Sequence, residues 1–176
     1  VLAPDVFWRV EPGVNLGYDS VGFTKGLELM GKMDFPQTVQ DLVFAAQYLK
    51  QMPEVVGKVA SLGYCMGGVL SYAVGSVPGT VDASVCYYGG GIHNHLDRAA
   101  NVKQPMLMHF AEKDSYIPSS AVESIQQAFE SNKGVQIFTY PDVDHGFNCW
   151  SRGMYNQKAS SLARGRTLEF LSRHIA

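Results

Sequence analysis

The stretch Ser61–Leu70, SLGYCMGGVL, places a cysteine where an apolar run gives way to glycines. The pentapeptide GYCMG has the spacing of a nucleophile elbow, a sharp strand-to-helix turn, with Cys65 in the central position. Small residues two positions to either side would avoid collision with neighbouring backbone, and the amides that open the next helix would favour a thiolate. The Met66 amide would point at a developing oxyanion. On these residues alone, a buried structural cysteine in a glycine-flanked turn explains the pattern equally well.

Two further residues could complete a nucleophilic site with Cys65. Asp114 follows the apolar strand in QPMLMHFAEKD, and His145 lies on the loop PDVDHGF after another apolar strand. An imidazole can take the proton from the thiol and later return it to a leaving group. A carboxylate can hold the imidazole tautomer and stabilise the imidazolium. The sequence therefore indicates a Cys–His–Asp triad, although a lone histidine on a loop is more often simply solvated.

The assignment of Asp114 has two alternatives. An aspartate on a loop often makes only local turn bonds, or it caps the next helix. Ser120 and Glu123 have capping-box spacing, which predicts that they cap that helix and leave Asp114 free. Asp142 and Asp144 compete for the orienting role, but they lie close in sequence to the histidine and are the weaker choice.

The order of elements predicts a parallel sheet. Apolar strands alternate with helical segments, a pattern typical of α/β folds with helices on both faces. The predicted strands are 58–63, 81–91, 106–111 and 135–140, and the predicted helices are 66–75, 121–131, 157–175 and one that starts at Phe35. Reactive groups lie at the carboxyl ends of such strands, and nucleophile, acid and base here follow successive strands in that order.

Other segments carry weaker signals. Residues 9–32 are rich in Gly, Pro, Asn and Asp and have no clear period, which predicts a long loop with at most a helical turn. Residues 1–7 have the pattern of the end of a strand. The predicted inner face of the last helix is Leu162, Leu168, Leu171 and Ile175.

Three motifs together, GYCMGG, FAEKDSYIP and DVDHGF, resemble the dienelactone hydrolase family of carboxymethylenebutenolidase-like enzymes. The resemblance extends over the whole chain, including APDVFWR near the start and RTLEFL near the end. It implies a single α/β-hydrolase domain over residues 1–176, with a mostly parallel sheet and helices on both faces. It also implies a triad of Cys65, His145 and Asp114, with no metal or organic cofactor.

The resemblance further implies substrate-binding residues. In the family, an arginine after the PDL/V loop binds the substrate carboxylate, and Arg9 matches it. The family's second arginine, four residues after the histidine, is replaced by Cys149, and Arg152 is the nearest cation. Tyr88 and Phe147 lie near the predicted strand ends and are expected to wall a pocket for a flat ring.

The chain begins at Val1, in what looks like a strand already in progress, and we expect it to be truncated at its N-terminus. The early strands of the family, a glutamate that interacts with the nucleophile and a second oxyanion amide have no counterpart here. One of those strands normally lies beside the strand that leads to Cys65. We therefore expect the sheet to be open at that point, with apolar surface exposed.

The amino-acid composition limits the kinds of molecule that the protein is expected to bind. A net charge of −2 and the absence of a basic patch argue against nucleic acid. No run of 18 apolar residues exists that would span a membrane. Three cysteines in 176 residues do not make a disulfide framework, which favours a reducing, cytoplasmic location. The expected partner is a small-molecule lactone or ester, bound by a monomer or a small homo-oligomer.

Histidines in GGGIHNH, together with His109, admit a metal-binding interpretation, but no fourth ligand is evident and a loop after a strand explains the motif better. The leading hypothesis is a hydrolase of lactones or carboxylic esters that works through an acyl-enzyme on Cys65. The alternatives are a general carboxylesterase or thioesterase of the same fold, and a non-catalytic hydrolase fragment.

Overall fold

A computed structural model describes residues 1–176. Four parallel strands form one sheet, and each strand pairs with the next one in the chain. The strands are β1 (Ala60–Tyr64), β2 (Ala83–Tyr87), β3 (Met106–Ala111) and β4 (Val135–Tyr140). The predicted parallel α/β sheet is therefore confirmed, and its last residues lie side by side, with Tyr64 opposite Tyr87.

Five α-helices surround the sheet: α1 (Ser20–Lys32), α2 (Phe35–Gln51), α3 (Met66–Gly75), α4 (Ser119–Ala128) and α5 (Gln157–Ile175). A 3₁₀ segment, Ile92–Asn101, connects β2 to β3. Polar side chains start the long helices, since Asp34 accepts from the Gln37 amide and Asn156 from the Ala159 amide. None of these helices combines the length and the apolar character that a bilayer crossing needs.

The helices cover both faces of the sheet, as predicted. Side chains alternate between the faces along a strand. On β2, Ser84 shares a hydroxyl cluster with Ser61 and with Ser71 of α3. Tyr87 points to the other face, where its hydroxyl is hydrogen-bonded to Thr167 of α5 at 2.7 Å. Helix α3 therefore packs on one face and α5 on the opposite one.

The prediction of a loop over residues 9–32 is wrong, because residues 20–32 form α1. Asp19 caps this helix by accepting from the Gly22 amide at 2.7 Å. Only Gly22 and Leu29 of α1 are buried, so the sequence shows no apolar stripe that would have marked a helix. The predicted strand at residues 1–7 is also absent, since this segment pairs with no strand.

The predicted inner face of α5 is half right, because Leu171 and Ile175 pack against the core but the other two leucines do not. Leu162 and Leu168 are 48% and 58% exposed. The buried positions are Ala159, Ala163, Thr167 and Phe170. Small residues along this stripe bring the helix close to a sheet face that already carries bulky aromatic side chains, and Thr167 can then bond to two strands.

Strand β1 lies at one edge of the sheet and β4 at the other, so the outer side of β1 has no partner strand. An open apolar groove of about 610 Å³ runs along this edge. Its walls come from α2, α3 and α5, and they include Leu42, Leu49, Leu70, Val74, Leu171 and Ile175. The groove lies beside the strand that carries the candidate nucleophile.

Candidate active site

Cys65 sits at the turn between β1 and α3 and is exposed. Its backbone has φ 54° and ψ −118°, a conformation that costs energy for any residue with a side chain. The Cys65 amide donates to the Tyr87 carbonyl at 3.0 Å, which ties the turn to the neighbouring strand. A strained cysteine on a strand-to-helix turn has the geometry of a nucleophile elbow.

Two glycines allow this turn to form. Gly63 was predicted to do so, but the second is Gly68 and not the predicted Gly67. A Cβ on Gly63 would lie 1.9 Å from the Gly67 carbonyl oxygen, so Gly63 is required sterically. A Cβ on Gly67 itself would meet nothing within 4 Å, so the expectation that this position must be small is wrong. Gly68 is the second close approach, with a Cβ only 2.6 Å from the Tyr87 carbonyl oxygen.

His145 and Asp114 meet next to this turn. His145 Nδ1 lies 2.9 Å from Asp114 Oδ2, and the two side chains are 6% and 0% exposed. Asp114 Oδ1 also accepts hydrogen bonds from the amides of Tyr116 and Ile117. The carboxylate therefore makes the local turn bonds of the simpler interpretation and holds the imidazole as well.

The competing carboxylates face elsewhere. Asp144 Oδ1 accepts from the amides of Ser115 and His145, at 2.8 and 2.6 Å, and so fixes the backbone rather than the ring. Asp142 pairs with Lys113 at the surface. The predicted capping box is wrong, because α4 has Pro118 at its N-cap and no side-chain cap.

The electrostatics of the site favour an ion pair between Cys65 and His145. Burial by itself raises the pKa of the Cys65 thiol, but the hydrogen bond and charge of His145, the Met66 amide and Arg152 outweigh it and lower that pKa. Burial by itself lowers the pKa of His145, but the hydrogen bonds to Asp114 and Cys65 raise that pKa to about 9. Both shifts favour the pair of thiolate and imidazolium over the neutral pair.

Aromatic rings enclose the imidazole. The Tyr88 ring meets His145 edge-on, with centroids 5.0 Å apart, and Phe147 packs on Tyr88 at 5.4 Å. Tyr116, which the sequence did not single out, meets the other side of the imidazole at 5.0 Å. Of the two predicted wall residues, Tyr88 is thus beside the candidate base, whereas Phe147 is fully buried behind Tyr88 and cannot face a pocket.

The two predicted substrate arginines have different surroundings. Arg9 is bound by Asp41 through two contacts, Nε–Oδ2 at 2.6 Å and a second at 2.9 Å, and the hydrogen bond from Arg9 lowers the pKa of Asp41 to about 2. Arg152 forms no salt bridge. Its guanidinium lies over the rings of Tyr18 and Phe23, at 5.4 and 5.7 Å.

Arg152 is therefore a cation without a carboxylate partner whose charge acts on the nucleophile. The Tyr18 and Phe23 rings, which belong to α1 and the loop before it, could not be predicted as site residues because α1 itself was not predicted. Cys149, in the place of the family's second arginine, is near enough to Tyr18 to raise the pKa of that tyrosine.

The histidines that the sequence suggested as metal ligands contact other side chains instead. His109 is buried and hydrogen-bonded to Tyr140 and Thr167, at 2.8 and 3.0 Å. His95 stacks on Phe35. No group of three metal-binding side chains is present in the structure.

A cysteine on an elbow, followed by a carboxylate and a histidine after later strands of one parallel sheet, defines an α/β-hydrolase site. The model of the dienelactone hydrolase family matches residues 1–175, so the chain belongs to this family. A carboxymethylenebutenolidase from Pseudomonas sp. strain P51 is 34% identical over 173 residues, which cover 98% of this chain and 72% of that protein. The Pseudomonas putida carboxymethylenebutenolidase is 33% identical, covering 97% of this chain and 72% of that protein.

The fold has counterparts among solved structures. A dienelactone hydrolase-like protein from Klebsiella pneumoniae superposes with a TM-score of 0.78 at 24% identity, over 90% of this chain and 69% of that one. A promiscuous phosphotriesterase of similar fold superposes with a TM-score of 0.73 at 19% identity, over 90% and 70% of the two chains. Family and fold together make this chain a hydrolase of ester or lactone bonds.

Proposed function

We propose that the protein opens lactones and cleaves carboxylic esters through a thiolate nucleophile and an acyl-enzyme intermediate. The observation that carries this proposal is the position of His145, which is held by Asp114 at 2.9 Å and whose pKa is raised by Asp114 and by the Cys65 thiol. A nucleophile, a proton carrier and an orienting carboxylate are the three groups that acyl transfer to a thiolate needs.

The steps of the reaction follow from the chemistry of Cys65, Met66 and His145. The Cys65 thiolate attacks the acyl carbon, and the Met66 amide stabilises the negative charge that develops on the carbonyl oxygen. The His145 imidazolium then gives its proton to the departing oxygen, which in a lactone stays attached as the ring opens. Neutral His145 next takes a proton from water, whose oxygen attacks the thioester carbon. The carbon–sulfur bond then breaks, which releases the acid and restores the Cys65 thiolate beside the His145 imidazolium.

We infer that the substrate carries a carboxylate, and that Arg152 binds it. An arginine that has aromatic faces on one side and no acidic partner is well suited to an anion, because its donors remain available. The Tyr88 and Tyr116 rings flank the imidazole, which suits a planar conjugated substrate such as a dienelactone, and Phe147 supports Tyr88 from the core.

Replacement of the nucleophile tests the reaction. Cys65→Ala should abolish hydrolysis of dienelactones and aryl esters, since no other group can form the acyl-enzyme, whereas Cys149→Ala removes a thiol outside the triad and serves as the matched control. Rapid alkylation of Cys65 by iodoacetamide at pH 6 would show the thiolate directly. Full turnover by Cys65→Ala would rule the mechanism out, and a slow, ordinary thiol would favour the non-catalytic alternative.

A general carboxylesterase or thioesterase is the second candidate, and the pairing of Arg9 with Asp41 favours it. If Arg9 stays in that pair, the site holds one substrate arginine instead of two. Arg152→Gln should lower kcat/KM for anionic lactones by about 10²-fold and change it less than threefold for neutral aryl esters. Equal losses for both substrates would favour the generalist, and a larger selective loss in Arg9→Gln would return the carboxylate to Arg9.

A further inference from the structure

Tyr88 has an unusual backbone conformation next to the candidate nucleophile. Its φ is 35°, a left-handed value that is rare for an aromatic residue. Its amide donates to the His109 carbonyl at 2.7 Å, and the Tyr87 and Gly89 backbone lies against Gly68 in the first turn of α3. Strain that the surroundings maintain in this way is a mark of functional positions.

The side chain is held as firmly as the backbone. Tyr88 is 3% exposed, and its ring is fixed between His145 and Phe147 by edge-on contacts. His145 in turn lowers the pKa of the Cys65 thiol, so the tyrosine ring packs against the residue that would activate the nucleophile.

The hydroxyl of Tyr88 differs from those of the other buried tyrosines. Tyr72 donates to the His95 carbonyl at 2.9 Å, Tyr87 bonds to Thr167, and Tyr140 bonds to His109. The Tyr88 hydroxyl has no hydrogen-bond partner within the chain. It is not sealed from solvent either, because the only sealed side-chain atom without a partner is His93 Nδ1.

An unpaired hydroxyl at the rim of a reactive site is available to a ligand. Burial, with the neighbouring sulfurs of Cys149 and Cys65, raises the pKa of Tyr88, so the group keeps its proton at neutral and moderately alkaline pH. A protonated phenol can only be useful to an acyl transfer as a hydrogen-bond donor to negative charge.

We propose that the Tyr88 hydroxyl is an oxyanion donor, which acts together with the Met66 amide on the oxygen of the tetrahedral intermediate. The inference rests on the proposed attack by Cys65. It adds a side-chain donor to the single backbone donor that the elbow provides, and it gives the strained conformation of Tyr88 a purpose.

The test separates oxyanion binding from thiol reactivity. A substrate-like aldehyde adds to Cys65 and forms a tetrahedral adduct with an oxyanion, whereas alkylation by iodoacetamide forms none. Tyr88→Phe keeps the ring and should lower both kcat and aldehyde affinity by about 10²-fold, with KM and the alkylation rate changed less than threefold. Tyr140→Phe is the matched control, since it removes a buried tyrosine hydroxyl that bonds to His109 and should reduce thermal stability without a loss of aldehyde affinity.

Three outcomes would contradict a donor role for Tyr88. Unchanged aldehyde affinity and turnover in Tyr88→Phe would overturn the donor role, and an equal loss of alkylation rate would assign Tyr88 to positioning His145 instead. Incorporation of 3-fluorotyrosine at position 88 keeps the fold and strengthens the donor, so the adduct should tighten; a weaker or unchanged adduct also contradicts the proposal. Failure of the proposed function would look different, because Cys65 would then resist alkylation in the unaltered protein.

Discussion

At the scale of single residues, the interactions of Cys65 and His145 with charged and hydrogen-bonding neighbours shift their pKa values more than burial does. Burial opposes both charges, yet the pKa of Cys65 is lowered and that of His145 is raised to about 9. The form that the proposed mechanism requires, thiolate with imidazolium, is therefore favoured from below the ordinary thiol range up to about pH 9. We expect kcat/KM for a lactone to rise as the thiol ionises and to fall near pH 9 as His145 loses its proton.

A pH–rate profile, with the iodoacetamide alkylation rate measured over the same range, checks this assignment. The acid limb of both curves should coincide, because both report the Cys65 thiolate. The alkaline limb should appear only in turnover, since alkylation needs no proton donor. A turnover profile that still rises above pH 9 would contradict the imidazolium as the acid.

Asp114 performs two tasks that one substitution can separate. Asp114→Asn keeps an oxygen for the amides of Tyr116 and Ile117 but loses the charge that stabilises the imidazolium. We expect kcat/KM to drop by roughly 10²–10⁴-fold and the alkaline limb to move to lower pH, with little change in melting temperature. Asp144→Asn, which alters a carboxylate that binds only backbone, is the control and should lose less than tenfold.

At the scale of elements, the turn between β1 and α3 depends on two particular glycines. Gly63→Ala forces a methyl group to within 1.9 Å of the Gly67 carbonyl oxygen, which can be relieved only by moving backbone. We expect this change to lower the free energy of unfolding by about 3 kcal/mol or more and to abolish activity. Gly67→Ala meets nothing and should retain both; urea denaturation and lactone turnover measure the contrast.

How far the sequence predicted each element depends on what makes that element form. Strand β3 and helix α3 appear within their predicted bounds because apolar runs and the elbow glycines mark them locally. Helix α1 was missed since it buries only two residues. The inner face of α5 was only half right, because hydrophobicity also favoured Leu162 and Leu168, whereas the sheet leaves space for Ala163 and Thr167.

The candidate site was also predictable only in part. The order of Cys65, Asp114 and His145 along the chain was enough to predict which residues meet, because parallel strands bring their carboxyl ends to one edge. What surrounds them was not predictable, since it depends on tertiary contacts: Arg152 reaches rings on α1, and Arg9 is bound by α2 through Asp41.

At the scale of the whole molecule, a buried polar network joins α5 to three strands beneath the site. Thr167 Oγ1 is hydrogen-bonded to the Tyr87 hydroxyl and to His109 Nε2, and His109 Nδ1 is hydrogen-bonded to the Tyr140 hydroxyl. The network also adjoins the site through the backbone, because the His109 carbonyl accepts the Tyr88 amide. The same histidine therefore fixes α5 on the sheet and helps to hold the strained tyrosine.

This network should make stability depend on pH with a sign that follows from His109. Burial lowers the pKa of His109 to about 3, well below its value in the unfolded chain, so between about pH 6.5 and 3 the unfolded state binds the extra proton. The contribution of His109 to stability is full above pH 6.5 and is lost as the pH falls through that window, by at most about 1.4 kcal/mol per pH unit.

Urea unfolding of the wild type at pH 7.5, 6 and 5, compared with the same measurements on His109→Gln, gives the part of the pH dependence that is due to His109. The variant should be less stable at pH 7.5, because glutamine cannot satisfy both hydroxyls, and should lose less on acidification; parallel losses in the two proteins would show that another group carries the pH dependence.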